Sequence, residues 1–176
     1  MKRIILILAV FAALPFVASA QKGTNAIQIS GQAAIPVGDL ADIVKTGFGG
    51  AAKGIYGFSS KPQSFTLEAG YNQFAVKNLP SSASAHYSAI PVYVGYRANL
   101  SGVVLESQAG LSFNRIAGSG PGGTASANES VFGWALSASY LYRSVELGVR
   151  YQSSEGAKDA NVIRFVGVRL GYNFGL

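Results

Sequence analysis

The pair of residues best suited to chemistry is His86 and Ser88, in the stretch "SAHYSAI". Residues two apart in an extended segment share a side. The imidazole there could take the serine proton and prime the hydroxyl for attack on an ester. That chemistry also needs an acid to orient the ring, and none is apparent, because the alternation of the flanking segments turns Glu68 and Glu106 to the opposite face. A solvated loop histidine is the simpler reading. Metal chemistry is poorer still, since the chain has one histidine and no cysteine. Glu155, Asp159 and Asn161 lack the spacing of a calcium loop. Glycoside cleavage would need two acids converging in an open cleft, whereas Glu68, Glu106 and Glu146 each have a basic candidate partner. "GSGPGG" follows no strand-to-helix pattern and so does not read as a phosphate cradle. No catalytic residue, metal or cofactor is expected, and the chain does not read as an enzyme.

The charged residues suit a different task. Lys53, Arg97, Arg150 and Arg169 stand against Glu68, Glu106 and Glu146 at positions that alternation places on one common face. If that face is enclosed, the ions must be paired or hydrated, because an isolated buried ion costs several kcal/mol. The expected arrangement is a network of ion pairs that plugs a lumen. The competing arrangement is a hydrated channel lined by the same groups.

The elements that must position these groups are strands. In "RSVELGVRYQSS", Val145, Leu147, Val149 and Tyr151 alternate with Glu146, Gly148 and Arg150. A helix would scatter the apolar four, whereas a strand gathers them on one side. The same period, bounded by turn residues, predicts eight strands at 25–34, 47–58, 64–74, 88–98, 102–114, 130–142, 144–152 and 162–174. In "VGDLADIVKT", Asp39 is placed to cap a short helical turn with Leu40, Ile43 and Val44 on one side. The connections alternate between long and short, with "LSG" and "RS" among the short ones. Transmembrane barrels show that asymmetry between their two rims. The Gly- and Ser-rich "RIAGSGPGGTASANE" reads as a flexible long loop.

Which face meets water is decided by glycine. The greasy face includes Ile27, Phe48, Leu67, Val94, Leu105, Phe132 and Val149, and Phe165 is also expected to look outward. The opposite face carries the charges with Gln28, Gln32, Asn72, Gln108 and Asn173, plus Gly49, Gly57, Gly70, Gly95, Gly110, Gly133, Gly148, Gly167 and Gly171. Outside a soluble barrel those glycines would weaken each strand for no gain. Inside a narrow eight-stranded barrel they make room for long charged side chains. The polar face is therefore read as the inside and the apolar face as meeting lipid. Phe132 and Trp134 fall near the long-loop end of their strand and Tyr140 and Tyr142 near the other, as interfacial aromatics do.

Residues 1–20, "MKRIILILAVFAALPFVASA", have a basic start, an apolar middle and a small-residue ending, which is the pattern of a secretory signal peptide cleaved after Ala20. Residues 21–176 are then one barrel domain. Setting Lys2 and Arg3 aside from the 14 basic residues leaves 12 against 8 acidic ones, a net of +4. These charges are scattered singly, so no nucleic-acid partner is expected.

The stretches "GDLADIVKTGFGGAAKGIYGF", "LEAGYNQF", "AIPVYVGYR", "QAGLSFNR", "ELGVRYQSS" and "FVGVRLGYNF" together resemble the small outer-membrane β-barrel domain family of Gram-negative bacteria. The resemblance implies an all-β fold, an eight-stranded antiparallel up-and-down transmembrane barrel with long outer loops and short periplasmic turns. It also implies residence in the outer membrane as a monomer amid lipid and lipopolysaccharide. Tyr172, Asn173 and Phe174 then resemble the terminal signal read by the barrel-assembly machinery, although Gly175 and Leu176 follow the aromatic here. The expected role is structural or recognitional, with an unidentified ligand at the outer loops. The alternatives are a narrow pore for ions or small solutes and a lipid-modifying enzyme, since His86 and Ser88 are similar to the pair used by outer-membrane lipid A deacylases.

Overall fold

The computed structural model describes residues 25–58, 62–80, 83–120, 123–155 and 163–176. The signal-peptide assignment, Asp159 and Asn161 lie outside the described residues. The chain forms β1 (Ala26–Val37), α1 (Asp39–Ile43), β2 (Gly47–Gly57), β3 (Gln63–Ala75), β4 (Ser84–Leu100), β5 (Val103–Gly120), β6 (Gly123–Tyr142), β7 (Val145–Ser154) and β8 (Ile163–Gly175). Each strand pairs antiparallel with the next, and β8 returns to β1 to close an eight-stranded barrel. Closure leaves most backbone groups paired along the span, which is what allows strands to cross hydrocarbon. Among the described residues no helix is long and apolar enough to cross a membrane.

Side-chain direction follows the alternation. Leu105 and Val149 look outward and are 47% and 53% exposed, while Arg150 beside Val149 is 1% exposed. A surface on which Phe48, Leu67, Val94 and Leu170 are all exposed is stable only against lipid. At the short-turn end that surface carries aromatic clusters, with the Phe58 and Phe65 rings 4.5 Å apart and those of Tyr172 and Phe174 4.8 Å apart. At the other end the Trp134 and Tyr151 rings lie 5.4 Å apart.

Glycine on the inner face provides room for bulk. Tyr93 is fully buried, and a Cβ added at Gly133 would collide with its hydroxyl. The β4–β5 turn holds Ser101 at φ 56° and Gly102 at φ 102°, the positive values that a two-residue hairpin of the strand-matching kind requires.

Three expectations are corrected. Phe165 faces the barrel interior and is 0% exposed, because it shares the parity of Arg169 on β8, not that of Val166. Asp39 does not cap α1: Gly38 occupies the N-cap position and no side-chain cap bond forms. Leu40 and Val44 are buried, but Ile43 is exposed; so short a helix depends on packing rather than on its own hydrogen bonds. The loop expected around "GSGPGG" is largely strand, since β5 and β6 remain paired up to Gly120 and Gly123. There both faces meet water, so the sequence carries no apolar alternation to mark the strands.

Candidate functional site

The inner face gathers its charged groups from six strands. Lys53 (β2), Glu68 (β3), Arg97 (β4), Glu106 (β5), Glu146 and Arg150 (β7) and Arg169 (β8) all point into the lumen. The register sets Lys53 directly opposite Glu68, and their ion pair measures 3.3 Å. Lys53 Nζ lies closer still to Glu106, at 2.6 Å from Oε2. Glu68 accepts from Arg169 through two bonds, of 2.7 and 3.2 Å, and lies 3.3 Å from Arg150 Nη1. One carboxylate thus holds three cations together.

Arg97 reaches Glu146 with two bonds of 3.1 and 2.7 Å and approaches Glu106 at 3.8 Å. Neutral groups add to the shell. Thr66 Oγ1 donates to Glu106 at 2.7 Å, Ser139 Oγ to Glu146 at 2.7 Å and Gln28 Nε2 to Glu146 at 2.9 Å. Arg150 donates to Gln108, whose own amide donates to Glu106 at 3.0 Å. The cavity left among Gln28, Lys53, Glu146, Arg150 and Arg169 is about 10 Å³, roughly the room of a single water. With this packing the ions of the lumen lie in contact with one another across the barrel.

A second packed layer lies at the long-loop mouth. Ala34, Leu40, Val44, Phe74, Tyr87, Ala89 and Phe165 form a buried apolar cluster. The Phe74 ring stands 5.5 Å from that of Phe165 and 6.0 Å from that of Tyr87. Helix α1 carries Leu40 into this cluster and is tied down by Lys77, whose Nζ donates to the Ala41 carbonyl at 2.5 Å. Residue types alone did not point to this lid. Its one sequence signal is that Phe74 shares the parity of Asn72 on β3, and Phe165 that of Arg169 on β8, which turns two large aromatics inward.

His86 and Ser88 both point outward from β4, and Ser88 Oγ donates to the Arg115 carbonyl at 3.4 Å instead of serving an imidazole. Among the described residues no group of three His, Cys, Asp or Glu is placed to hold a metal. Glu155 is exposed at the end of β7. Tyr172 and Phe174 lie on the outward face of β8, while Asn173 points inward, accepting from Gln28 at 3.1 Å and donating to Glu146 at 3.5 Å.

The strands β4, β5 and β6 continue past the rest of the barrel as a projecting sheet. Residues 123–130 of β6 are all exposed, and the pairing of β6 with β7 begins only at Gly133 opposite Ser154. Beyond it, Glu155 N donates to the Phe132 carbonyl at 2.9 Å.

The family model for the outer membrane protein beta-barrel domain matches residues 4–174. Among solved structures the chain is similar to Ail, the attachment invasion locus protein of Yersinia pestis, at TM-score 0.65 and 16% identity, covering 88% of this chain and 100% of that one. It is also similar to the Neisserial surface protein NspA, at TM-score 0.57 and 18% identity over 88% and 100% of the two chains. The N-terminal β-barrel domain of Pseudomonas aeruginosa OprF gives TM-score 0.62 and 13% identity over 87% and 100%. At these identities the likeness is one of fold. No curated protein matches the sequence significantly.

Proposed function

This chain belongs to the outer membrane protein β-barrel domain family and resides in the outer membrane, and from that premise we propose that it is a filled, non-catalytic barrel that recognises an extracellular partner through its projecting sheet. The observation that carries this reading is the β5–β6 hairpin, which stays paired as far as Gly120 opposite Gly123 and leaves residues 123–130 of β6 exposed. A hydrogen-bonded hairpin standing beyond the barrel wall holds its side chains in a fixed arrangement for a partner, as binding segments carried on a rigid scaffold do.

The plugged lumen supports a scaffold role. Ion pairs that cross the barrel hold its wall rigid beneath the sheet, and the apolar lid closes the outer mouth. The pore reading draws no support from a cavity of about 10 Å³, and the deacylase reading draws none from an outward His86 and Ser88. Signal-directed export, assembly through the machinery that reads terminal aromatic strands, and a monomeric state complete the proposal.

The test compares cells displaying the chain with cells displaying a trimmed form, in which residues 117–126 are replaced by Asn-Gly. Both are offered immobilised matrix proteins, extended peptides and sulfated sugars. The last class is included because a structure of Ail is a complex with the heparin analogue sucrose octasulfate. Binding by the full chain and its loss on trimming are expected. Binding that survives trimming, or no binding above that of empty cells, overturns the reading.

A further inference from the structure

The outward face of the projecting sheet holds a groove of about 340 Å³ whose lining includes Ser84, His86, Arg115, Ser119, Thr124 and Ser126. Ala117 forms its floor. The register pairs His86 with Ala117 and Ala117 with Ser126, so a small residue sits between an imidazole and a hydroxyl. Both Arg115 and His86 are exposed, and none of the salt bridges among the described residues includes Arg115.

The height of the groove identifies its surroundings. On the same outward face, the row Ser88, Arg115, Asn128 follows directly on the row Ile90, Phe113, Ser130, which in turn follows Val92, Leu111, Phe132. Successive rows are two residues apart, roughly 7 Å along the strand. The apolar band on these strands therefore ends at Ile90 and Phe113, and the guanidinium stands one step above it, at the level of lipid headgroups. The long-loop rim faces outward in such barrels, so those headgroups belong to the outer leaflet.

We infer that this groove binds the phosphorylated sugar headgroup of an outer-leaflet glycolipid, whose acyl chains run down the columns of Ile90, Val92, Leu111 and Phe113. A guanidinium fork suits a phosphate, which it can hold through two parallel bonds, and the imidazole offers a further donor. The hydroxyls of Ser84, Ser119 and Ser126 suit a sugar ring. The groove is open to its surroundings and, at about 340 Å³, exceeds what a bare phosphate fills. The inference rests on the location in the outer membrane, and the point substitutions that test it leave the projecting hairpin in place, so its failure and that of the proposed partner binding are distinguishable.

The test uses the full chain folded in phosphatidylcholine nanodiscs and loaded with lipid A. After detergent exchange, retained lipid is counted by native mass spectrometry. One retained lipid A is expected. Arg115→Gln and His86→Gln together should weaken retention at least tenfold, about 1.4 kcal/mol or more. Arg115→Lys should keep most of it, and Arg143→Gln, at the short-turn end, should change nothing. Heat-modifiable gel migration verifies that every variant is folded. The inference is overturned if the double variant retains lipid A as the parent does, or if dephosphorylated lipid A is held equally well. It is also overturned if millimolar inorganic phosphate displaces the lipid, which would make the groove a free-phosphate site.

Discussion

Arg97 and Glu146 are joined by two parallel hydrogen bonds, 3.1 and 2.7 Å long, although they stand on β4 and β7, which are not neighbours in the barrel. The pair is a strut across the lumen. Removing one partner leaves a buried ion unpaired, which costs about 3–5 kcal/mol, whereas removing both costs less than the sum. Arg97→Met and Glu146→Leu singly should each lower unfolding stability by about that amount, and the double variant should recover a large part of it. Urea unfolding in lipid vesicles checks this; strictly additive losses would show that the strut carries no coupling.

Glu68 offers a second expectation, because Lys53, Arg150 and Arg169 all lie within 3.3 Å of its carboxylate. Glu68→Gln keeps the shape and removes the charge that holds the three cations together. Their mutual repulsion should then loosen the plug and let anions pass. In planar bilayers the parent should be silent and the variant should show intermittent anion-selective conductance. A silent variant, or a parent that conducts steadily, would contradict the plug.

Most of the architecture was legible because one strand of this kind carries two messages. In β7 the outward Val145, Leu147, Val149 and Tyr151 give the period, and Gly148 between Glu146 and Arg150 tells which side is cramped. Pairing inside the lumen was not legible. Glu146 is four residues from Arg150 in sequence, yet it bonds Arg97, and Lys53 lies nearer Glu106 than its cross-strand neighbour Glu68. Those choices depend on strand tilt and stagger, which a period of two does not encode. The projecting sheet was hidden for another reason: residues 123–130 of β6 are all exposed, so nothing selects apolar residues at alternate positions. Phe165 is the exception on β8: its bulk and apolarity suit the lipid face, yet its parity with Arg169 turns it inward, where it is fully buried.

Lipid-facing positions make a depth-dependent prediction. Val149 pairs with Ala138 and Val168 midway between the Trp134–Tyr151 cluster and the short turn at Arg143 and Ser144. Val149→Arg should destabilise the barrel by about 2–4 kcal/mol, whereas Tyr142→Arg, beside that turn, should cost about 0–1 kcal/mol. Vesicle unfolding of the two variants checks the order. Equal costs would mean that Val149 does not lie in the hydrocarbon centre.

The terminal strand separates assembly from stability. Tyr172 and Phe174 pack with tilted rings on the lipid face of β8, while Leu176 N donates to the Asn25 carbonyl at 3.0 Å and fastens the seam where β8 meets β1. If Phe174 serves the assembly machinery, Phe174→Ala should reduce the folded, heat-modifiable fraction in cells, yet change the stability of barrel refolded in vitro by no more than about 1 kcal/mol. Deleting Leu176 should do the reverse: it removes a seam bond but leaves the aromatic in place, so cellular assembly holds while the refolded barrel unfolds at lower urea. Membrane fractionation with and without boiling reads the first quantity and urea titration the second. If Phe174→Ala lowered both in proportion, the aromatic would be a packing residue of the seam and not a signal.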